Sequence, residues 1–362
     1  MDIYKYKYLK YRSKYKSLIN PKNNNYHLSR SSDNKQTLQP IYLGGALPKR
    51  MKNIHKFKKI TICTYNIWGN EKFSKYSKLE KRLPYIVDEI TKNDPDIICL
   101  QEVSEQAINY FKSKNEIIKE YFLFDLKSKN GPFVLSKYKP RNVIQYMHND
   151  PFIVMEFSNL IIVNVQLPEQ DKFSKHRIQQ LQDIKKVLHS YNYDTKNVIF
   201  TGGLNFDIDK DNEKEKLSEF NFKDAWKILN NDSDNKDKDK DKDKDKDKDK
   251  DKDKDKDKDK DKDKEEQYGY TEDTTINKMK WNMTYVRKRG RYDAILYRGC
   301  RIKPININMI GIQPVFTIDK NDNDFLTHVK NNKLDIRFIK LTGDRMQYWP
   351  SDRFGIVCKL SI

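Results

Sequence analysis

Cysteine is scarce in this chain, with four among 362 residues: Cys63, Cys99, Cys300 and Cys358. Their spacing matches no zinc signature, and each lies in or beside an apolar, strand-like run. The reading is therefore reduced core residues in an intracellular protein. No uninterrupted apolar run reaches the ~20 residues a membrane-spanning helix needs, and no apolar signal region opens the sequence, so a soluble chain without a membrane span is expected. Acidic side chains are also in deficit, with 53 Asp and Glu against 72 Lys and Arg and a net charge of +19. That balance favours polyanions as partners, nucleic acid being the commonest; plain solubility in a Lys- and Asn-rich composition is the alternative.

The charge excess does not come from the most conspicuous segment. Lys236 to Lys264 alternates Lys and Asp, with 15 of the first and 14 of the second. Like charges at every i,i+4 pair oppose a helix, and the tract has nothing to bury. It reads as a disordered loop at about 231–267, inserted into a folded domain because strand-like runs resume beyond it. Residues 320–340 look like a milder insertion. At the other end, residues 1–56 read as an arm. Tyr4, Tyr8, Tyr11, Tyr15 and Leu18 recur at helical spacing among Lys and Arg, a basic amphipathic helix that could dock on RNA, an anionic surface or its own domain. Residues 22–39 are polar and expected to be disordered. Residues 57–362 are expected to form one folded domain, with the oligomeric state left open.

Within that domain the predicted elements alternate. Strands are expected at 59–66, 96–102, 133–136, in two runs between 152 and 167 split by Ser158-Asn159, and at 292–297, 305–312 and 354–360. Helices are expected at 79–91, 104–119 and 175–188. The stretch 197–208 organises the rest: Val198-Ile-Phe200 stops at Thr201-Gly202-Gly203 and the polar Asn205 follows at once. An apolar run cut off by glycines reads as a buried strand opening into a tight turn where backbone can approach a ligand closely. Asn66, Glu102, Gln166, Asn205 and Ser351-Asp352-Arg353 lie at the ends of other strands, with Asp293 just inside another. Polar strand ends repeated across so many segments suggest one shared site at one edge of a packed pair of sheets.

These residues carry a resemblance. Thr64-Tyr-Asn66-Ile, Leu100-Gln-Glu102-Val, Gly131-Pro-Phe-Val-Leu-Ser-Lys137, Gln166-Leu167 with Arg177 and Gln180-Leu181 downstream, Gly202-Gly-Leu-Asn205, Arg291-Tyr-Asp293-Ala-Ile-Leu296 and Pro350-Ser-Asp352-Arg353-Phe-Gly are similar, in order, to the motif series of the endonuclease/exonuclease/phosphatase superfamily. Several spellings, together with Thr271-Glu-Asp-Thr274, look most like its tyrosyl-DNA phosphodiesterase 2 branch. The Tyr- and Lys-rich start resembles proteins of giant DNA viruses. The resemblance implies an α/β (α+β) fold of the DNase I-like kind, a two-sheet β-sandwich flanked by helices. It implies phosphodiester hydrolysis with Mg²⁺, a hard cation held by one or two carboxylates plus waters and phosphate oxygens. Glu102 matches the metal ligand and Asp352 its helper. Asn66 and Asn205 match amides that orient the phosphate and its attacking water, and Asp293 matches the acid that holds a catalytic histidine.

The departures weigh as much as the matches. Where the family pattern has Gly-Asp-Xaa-Asn, this chain has Gly202-Gly203-Leu204-Asn205, so the carboxylate that activates water is missing. Ser-Asp-His becomes Ser351-Asp352-Arg353, His-Leu becomes Gln166-Leu167, and the Trp of Thr-Trp-Asp-Thr becomes Glu272. Arginine can stabilise transition-state charge but does not exchange a proton near neutral pH. Loss of one acid/base group typically costs ~10²–10⁴ in rate. The expectation is weak or lost hydrolysis, a weak Mg²⁺ site, and retained binding of nucleic acid or another phosphorylated substrate. Two rivals stand beside it: an active phosphodiesterase with rewired water activation, for which Asp207 or Asp209 are candidates, and a structural module without catalysis. For single residues the plain alternatives are turn-capping amides at Asn66 and Asn205, a surface carboxylate at Glu102, and an Asp293–Arg353 ion pair. Should Gly203 have φ > 0, an aspartate there would carry a backbone cost.

Overall fold

Successive residues of one strand go to different hydrophobic clusters. Ile62 and Cys63 divide this way, and so do Ile97, Ile98, Cys99 and Leu100: the first and third of that run pack between two sheets, the second and fourth under helices. This is the period-2 consequence of the pleat, and it explains why these runs are apolar almost throughout. In the computed structural model the described residues are 35–37, 56–70, 77–125, 130–146, 151–191, 193–230, 269–279, 287–319 and 345–362. The Tyr-rich helix, the Lys-Asp loop and the whole 320–340 insertion lie outside them.

Two mixed sheets stack face to face. The six-stranded sheet runs in the order Lys303–Ile310, Gly355–Ser361, Lys59–Asn66, Ile97–Val103, Gly131–Ser136, Phe122–Asp125. The seven-stranded sheet runs Lys35–Thr37, Asn142–Tyr146, Phe152–Glu156, Ile161–Gln166, Val198–Gly203, Asp293–Arg298, Lys223–Asp224. The central core between them includes Ile60, Ile62, Ile153, Ile162, Ile199, Ile295 and Ile356. The helices Leu79–Thr91 and Glu105–Ser113 cover the outer face of the first sheet, and Ser174–Ser190 covers that of the second. The expected two-sheet α/β sandwich flanked by helices is the observed fold.

Each sheet holds one parallel pair at its centre, Lys59–Asn66 beside Ile97–Val103 and Ile161–Gln166 beside Val198–Gly203. Their carboxyl ends lie together and are cross-linked by polar groups. Gln101 Nε2 donates to Asn164 Oδ1 across the sandwich at 2.8 Å, and Asn164 Nδ2 donates back to the Leu100 carbonyl at 3.1 Å. Buried amides bonded across the sandwich in this way fix the register of one sheet against the other.

Three expectations need correction. The helix expected at 104–119 is two helices, Glu105–Ser113 and Asn115–Glu120, because Lys114 adopts an extended backbone (φ −92, ψ 115). Cys300 is exposed in the turn after Asp293–Arg298, whereas Cys63, Cys99 and Cys358 are buried as expected. Within the arm expected to be disordered, Lys35–Thr37 forms an edge strand antiparallel to Asn142–Tyr146. A backbone ladder needs no apolar pattern, so nothing in the polar sequence announces it.

Candidate functional site

The residues singled out in the sequence converge where the two parallel pairs end. Gln166, Gly203 and Asp293 stand side by side across three strands of one sheet, and Asn66 pairs with Gln101 in the other. Glu102 follows Gln101 in a β-bulge between Leu100 and Val103, with φ +54. Asn205 has φ +57. Two non-glycine residues held in the left-handed region within one cluster mark stored backbone strain, a feature that concentrates at functional sites.

Side-chain contacts join the two halves. Asn66 Nδ2 donates to Glu102 Oε1 at 2.8 Å, and its Oδ1 accepts from the Trp68 N–H at 2.9 Å, which fixes the amide's orientation. Gln166 Oε1 accepts from the Glu102 N–H at 2.9 Å. Gln166 is therefore a stitch between sheets. The Ser351 hydroxyl donates to the Asn66 carbonyl at 2.6 Å, docking the Pro350–Arg353 turn on the end of the Lys59–Asn66 strand.

Arg353 is the hub. Only 1% exposed, it donates from Nη1 to both carboxylate oxygens of Asp293 at 3.3 Å and from Nη2 to Asn205 Oδ1. Its Nε lies 3.7 Å from Glu272 Oε2, and Glu169 Oε1 is 4.0 Å from Nη2. Asn205 in turn donates to the Leu167 carbonyl. Burial works against the guanidinium charge, but Asp293, Glu272, Asp352 and Glu169 outweigh it and hold Arg353 firmly protonated. The pairing of Asp293 with Arg353 is thus real. It also links two departures from the family pattern, since Glu272 at the family's Trp position is a second counter-ion for the Arg at the His position.

Beside this hub lies a carboxylate pair. Burial, then the negative charges of Asp352 and Glu169, push the Glu102 carboxyl up to about 7; Arg353 and the Asn66 amide act in the opposite direction. Carboxylates that oppose each other's ionisation gain from a cation between them. Among the described residues no group of three or more His, Cys, Asp or Glu is arranged to hold a metal. The donor set therefore fits Mg²⁺ only as an ion held by Glu102, Asp352, water and substrate oxygens, with few ligands from the protein.

Sequence reasoning missed Arg82. It sits on the apolar face of the Leu79–Thr91 helix, fully buried. Its guanidinium donates to the carbonyls of Ser77, Ile67 (3.0 Å), Trp68 (3.0 Å) and Pro350 (2.6 Å), so it clamps the loop after Asn66 to the turn that carries Asp352. Burial lowers its pKa to about 10, while Asp352 acts to raise it. A basic residue at the i+3 position of an apolar stripe, between Leu79 and Leu83, was the available signal. Glu169 was missed too. Arg177 positions its loop by donating to the carbonyls of Pro168 (3.1 Å) and Gln170 (2.8 Å) while Nε pairs with Glu213 (2.8 Å).

Contacts bear on two further expectations. Gly203 does not have the left-handed backbone; Gly202 does, at φ +128. A Cβ on Gly203 would meet only ordinary neighbours, Asp293 Oδ1 at 3.5 Å and Arg353 Nη1 at 4.0 Å. The substitutes for the missing carboxylate are engaged elsewhere: Asp207 pairs with Lys210 at 3.1 Å, and Asp209 with Lys227 at 2.5 Å and Arg291 at 3.4 Å.

Comparison with known proteins agrees with this architecture. Among solved structures, sphingomyelinase C from Streptomyces griseocarneus is similar with a TM-score of 0.53 at 14% identity, covering 83% of this chain and 99% of its own. Beta toxin from Staphylococcus aureus gives 0.51 at 13% identity, with 83% and 99% covered. Truncated TDP2 from Caenorhabditis elegans gives 0.49 at 15% identity, with 84% and 98% covered. At such identities the likeness to the sphingomyelinase and the toxin is one of fold. No curated protein matches the sequence. Residues 63–300, from the strand that leads into Asn66 to the end of the strand that opens with Asp293, match the model of the Endonuclease/Exonuclease/phosphatase family, and the chain belongs to that family.

Proposed function

We propose that this protein keeps the phosphodiesterase pocket of its family as a binding site, with Mg²⁺-dependent hydrolysis weak or lost, and that its ligand is nucleic acid or another phosphorylated partner. One observation carries the reading: Arg353 spends its guanidinium on Asp293 and Asn205, with Glu272 beside it. In a hydrolase of this kind that position has to move a proton or meet the developing charge on phosphate, and Asn205 has to face the substrate. Here both are turned on each other. Gly203 brings no carboxylate to align water, and Asp207 and Asp209 are ion-paired with Lys210 and Lys227.

Binding is supported by what remains. Glu102 and Asp352 suit a loosely held Mg²⁺, which when bound would supply positive charge to a phosphate. Asn66 is held in place by Trp68 and Glu102. The net charge of +19 favours polyanions over neutral ligands at any distance where the field acts. With two carboxylates as its protein ligands, Mg²⁺ affinity is weak, because this ion gives up its waters reluctantly.

The test is turnover of a 5′-phosphotyrosyl oligonucleotide with Mg²⁺, with Glu102→Gln as control, alongside fluorescence anisotropy of the same oligonucleotide without turnover. Binding that weakens with salt, and hydrolysis at or near the level of Glu102→Gln, is the expected result. Brisk turnover abolished by Glu102→Gln would overturn the loss of catalysis. Absence of salt-dependent binding would overturn the ligand class.

A further inference from the structure

Flanking the Pro350–Arg353 turn is a cavity of about 490 Å³ that the candidate site does not use. Its walls come from three parts of the chain: the segment leading into Glu272–Asp273, the end of the Lys303–Ile310 strand with the loop that follows, and the residues on either side of the turn. Tyr270, Trp349 and Phe354 give it aromatic faces. Trp349 and Phe354 are 3% and 4% exposed and fixed, the first by its indole N–H on the Ile312 carbonyl at 3.2 Å, the second by its N–H on the Thr271 carbonyl at 2.8 Å. Tyr270 is braced by the Arg289 guanidinium 5.1 Å from its ring centre. At the mouth stands Ile276, a large apolar side chain left 41% exposed.

The polar groups lie at the edge. Asp273, 2% exposed, is oriented by the Thr275 N–H at 2.8 Å and Arg289 Nε at 2.7 Å, and Gln347 adds an amide. A volume in the range of about 300–1,000 Å³ suits a small molecule or a single nucleotide unit. Flat aromatic walls favour a flat ring over an aliphatic chain. The Gln347 amide at the edge complements a ring bearing amino and carbonyl groups, while the Asp273 carboxylate is engaged by Thr275 and Arg289. Trp349 and Phe354 are the chain neighbours of the turn that carries Asp352 and Arg353, so the cavity and the candidate phosphate site share one turn.

We propose that this cavity is a nucleobase pocket, taking one base of a single strand whose backbone runs past Asp352 and Arg353. Its link to the phosphate site rests on the nucleic-acid reading above, but the pocket can be tested without it. The probe is adenosine, which carries no phosphate, titrated into the full-length protein and followed by tryptophan fluorescence. Saturable binding is expected, weakened about tenfold by Tyr270→Ala, as loss of one stacking partner predicts. Ile276→Asp, at an exposed position that spares the fold, is expected to weaken it comparably. No saturation at millimolar adenosine, or equal binding by wild type and both variants, overturns the pocket. A single-stranded oligonucleotide and its abasic counterpart separate the two readings. If both bind equally well and neither variant changes that, nucleic-acid binding stands and the pocket falls. If adenosine binds with the expected losses and neither oligonucleotide binds, the pocket stands and the nucleic-acid reading falls.

Discussion

Asp293 and Gly203 face each other across an antiparallel ladder, and a side chain begun at Gly203 would grow to within 4.0 Å of Arg353 Nη1. At the position where the family pattern has a water-activating carboxylate a Cβ thus meets only van der Waals contacts, whereas at the neighbouring glycine it clashes. On Gly202, with φ +128, a Cβ would fall 2.1 Å from the Val165 carbonyl oxygen. Gly203→Ala is therefore expected to cost less than about 2 kcal/mol and Gly202→Ala about 3 kcal/mol or more, while Gly203→Asp adds repulsion from Asp293 that Arg353 only partly offsets. Denaturant unfolding of the pair checks this, and the reverse order would be incompatible with the observed backbone.

Arg353 carries the charge that makes Asp293 tolerable in the interior and shares Glu272 with Lys288. Arg353→Met leaves Asp293 buried without its cation and Glu272 with Lys288 alone, 3.2 Å away, and is expected to cost about 3–5 kcal/mol near neutral pH. The loss should shrink as pH falls, because protonation then relieves the unpaired carboxylates. Arg353→Lys keeps the charge but not the fork and should fall between. Melting temperatures at pH 5 and pH 8 distinguish this from a simple packing defect, whose cost would not depend on pH.

Most of the sandwich was legible because its strands are buried on both faces. Runs such as Ile97-Ile-Cys-Leu100 cannot be solvated, and the polar residues that end them stand out against the apolar background. Of the edge strands, Lys303–Ile310 was legible and two others were not. Phe122–Asp125 is four residues abutting a helix, and Lys35–Thr37 is three polar residues with no apolar alternation. In the site, the convergence of Asn66, Glu102, Asn205, Asp293 and Arg353 followed from the order of strand ends. The left-handed backbone of Glu102 and the four-carbonyl clamp of Arg82 did not, because both depend on where other segments close around them.

Glu102 makes stability depend on pH in a direction opposite to that of an ordinary ion-paired carboxylate. Its folded pKa is about 7 against an ordinary 4.5, so between those values the folded chain holds a proton the unfolded chain has released. Its contribution is present below pH 4.5 and is lost as pH rises towards 7. Replacing it with the uncharged Glu102→Gln should flatten the decline by roughly 1–3 kcal/mol across this window. Denaturation midpoints at pH 5 and pH 7.5 in wild type and variant provide the check; identical slopes would mean that Glu102 ionises freely.

Arg82→Met should destabilise the protein by at least about 3 kcal/mol, since the buried carbonyls of Ile67, Trp68 and Pro350 lose their donor together. Hydrogen exchange should show the 350–353 turn opening more often than the rest of the domain. Uniform loosening, or no change, would mean that Arg82 is not what holds the turn to the strand end.

The most direct measurement is hydrolysis of a 5′-phosphotyrosyl oligonucleotide by wild type, Gly203→Asp, Arg353→His and the double variant, in Mg²⁺. Residues that act as a unit do not contribute separately. Asp293 already stands within reach of position 353, and Glu102 and Asp352 are in place beside it. The expected result is little activity in wild type and either single variant, and a gain of at least about a hundredfold in the folded double variant. Rapid turnover by the wild type, or a folded double variant no faster than the wild type, would contradict the assignment of the lost chemistry to Gly203 and Arg353.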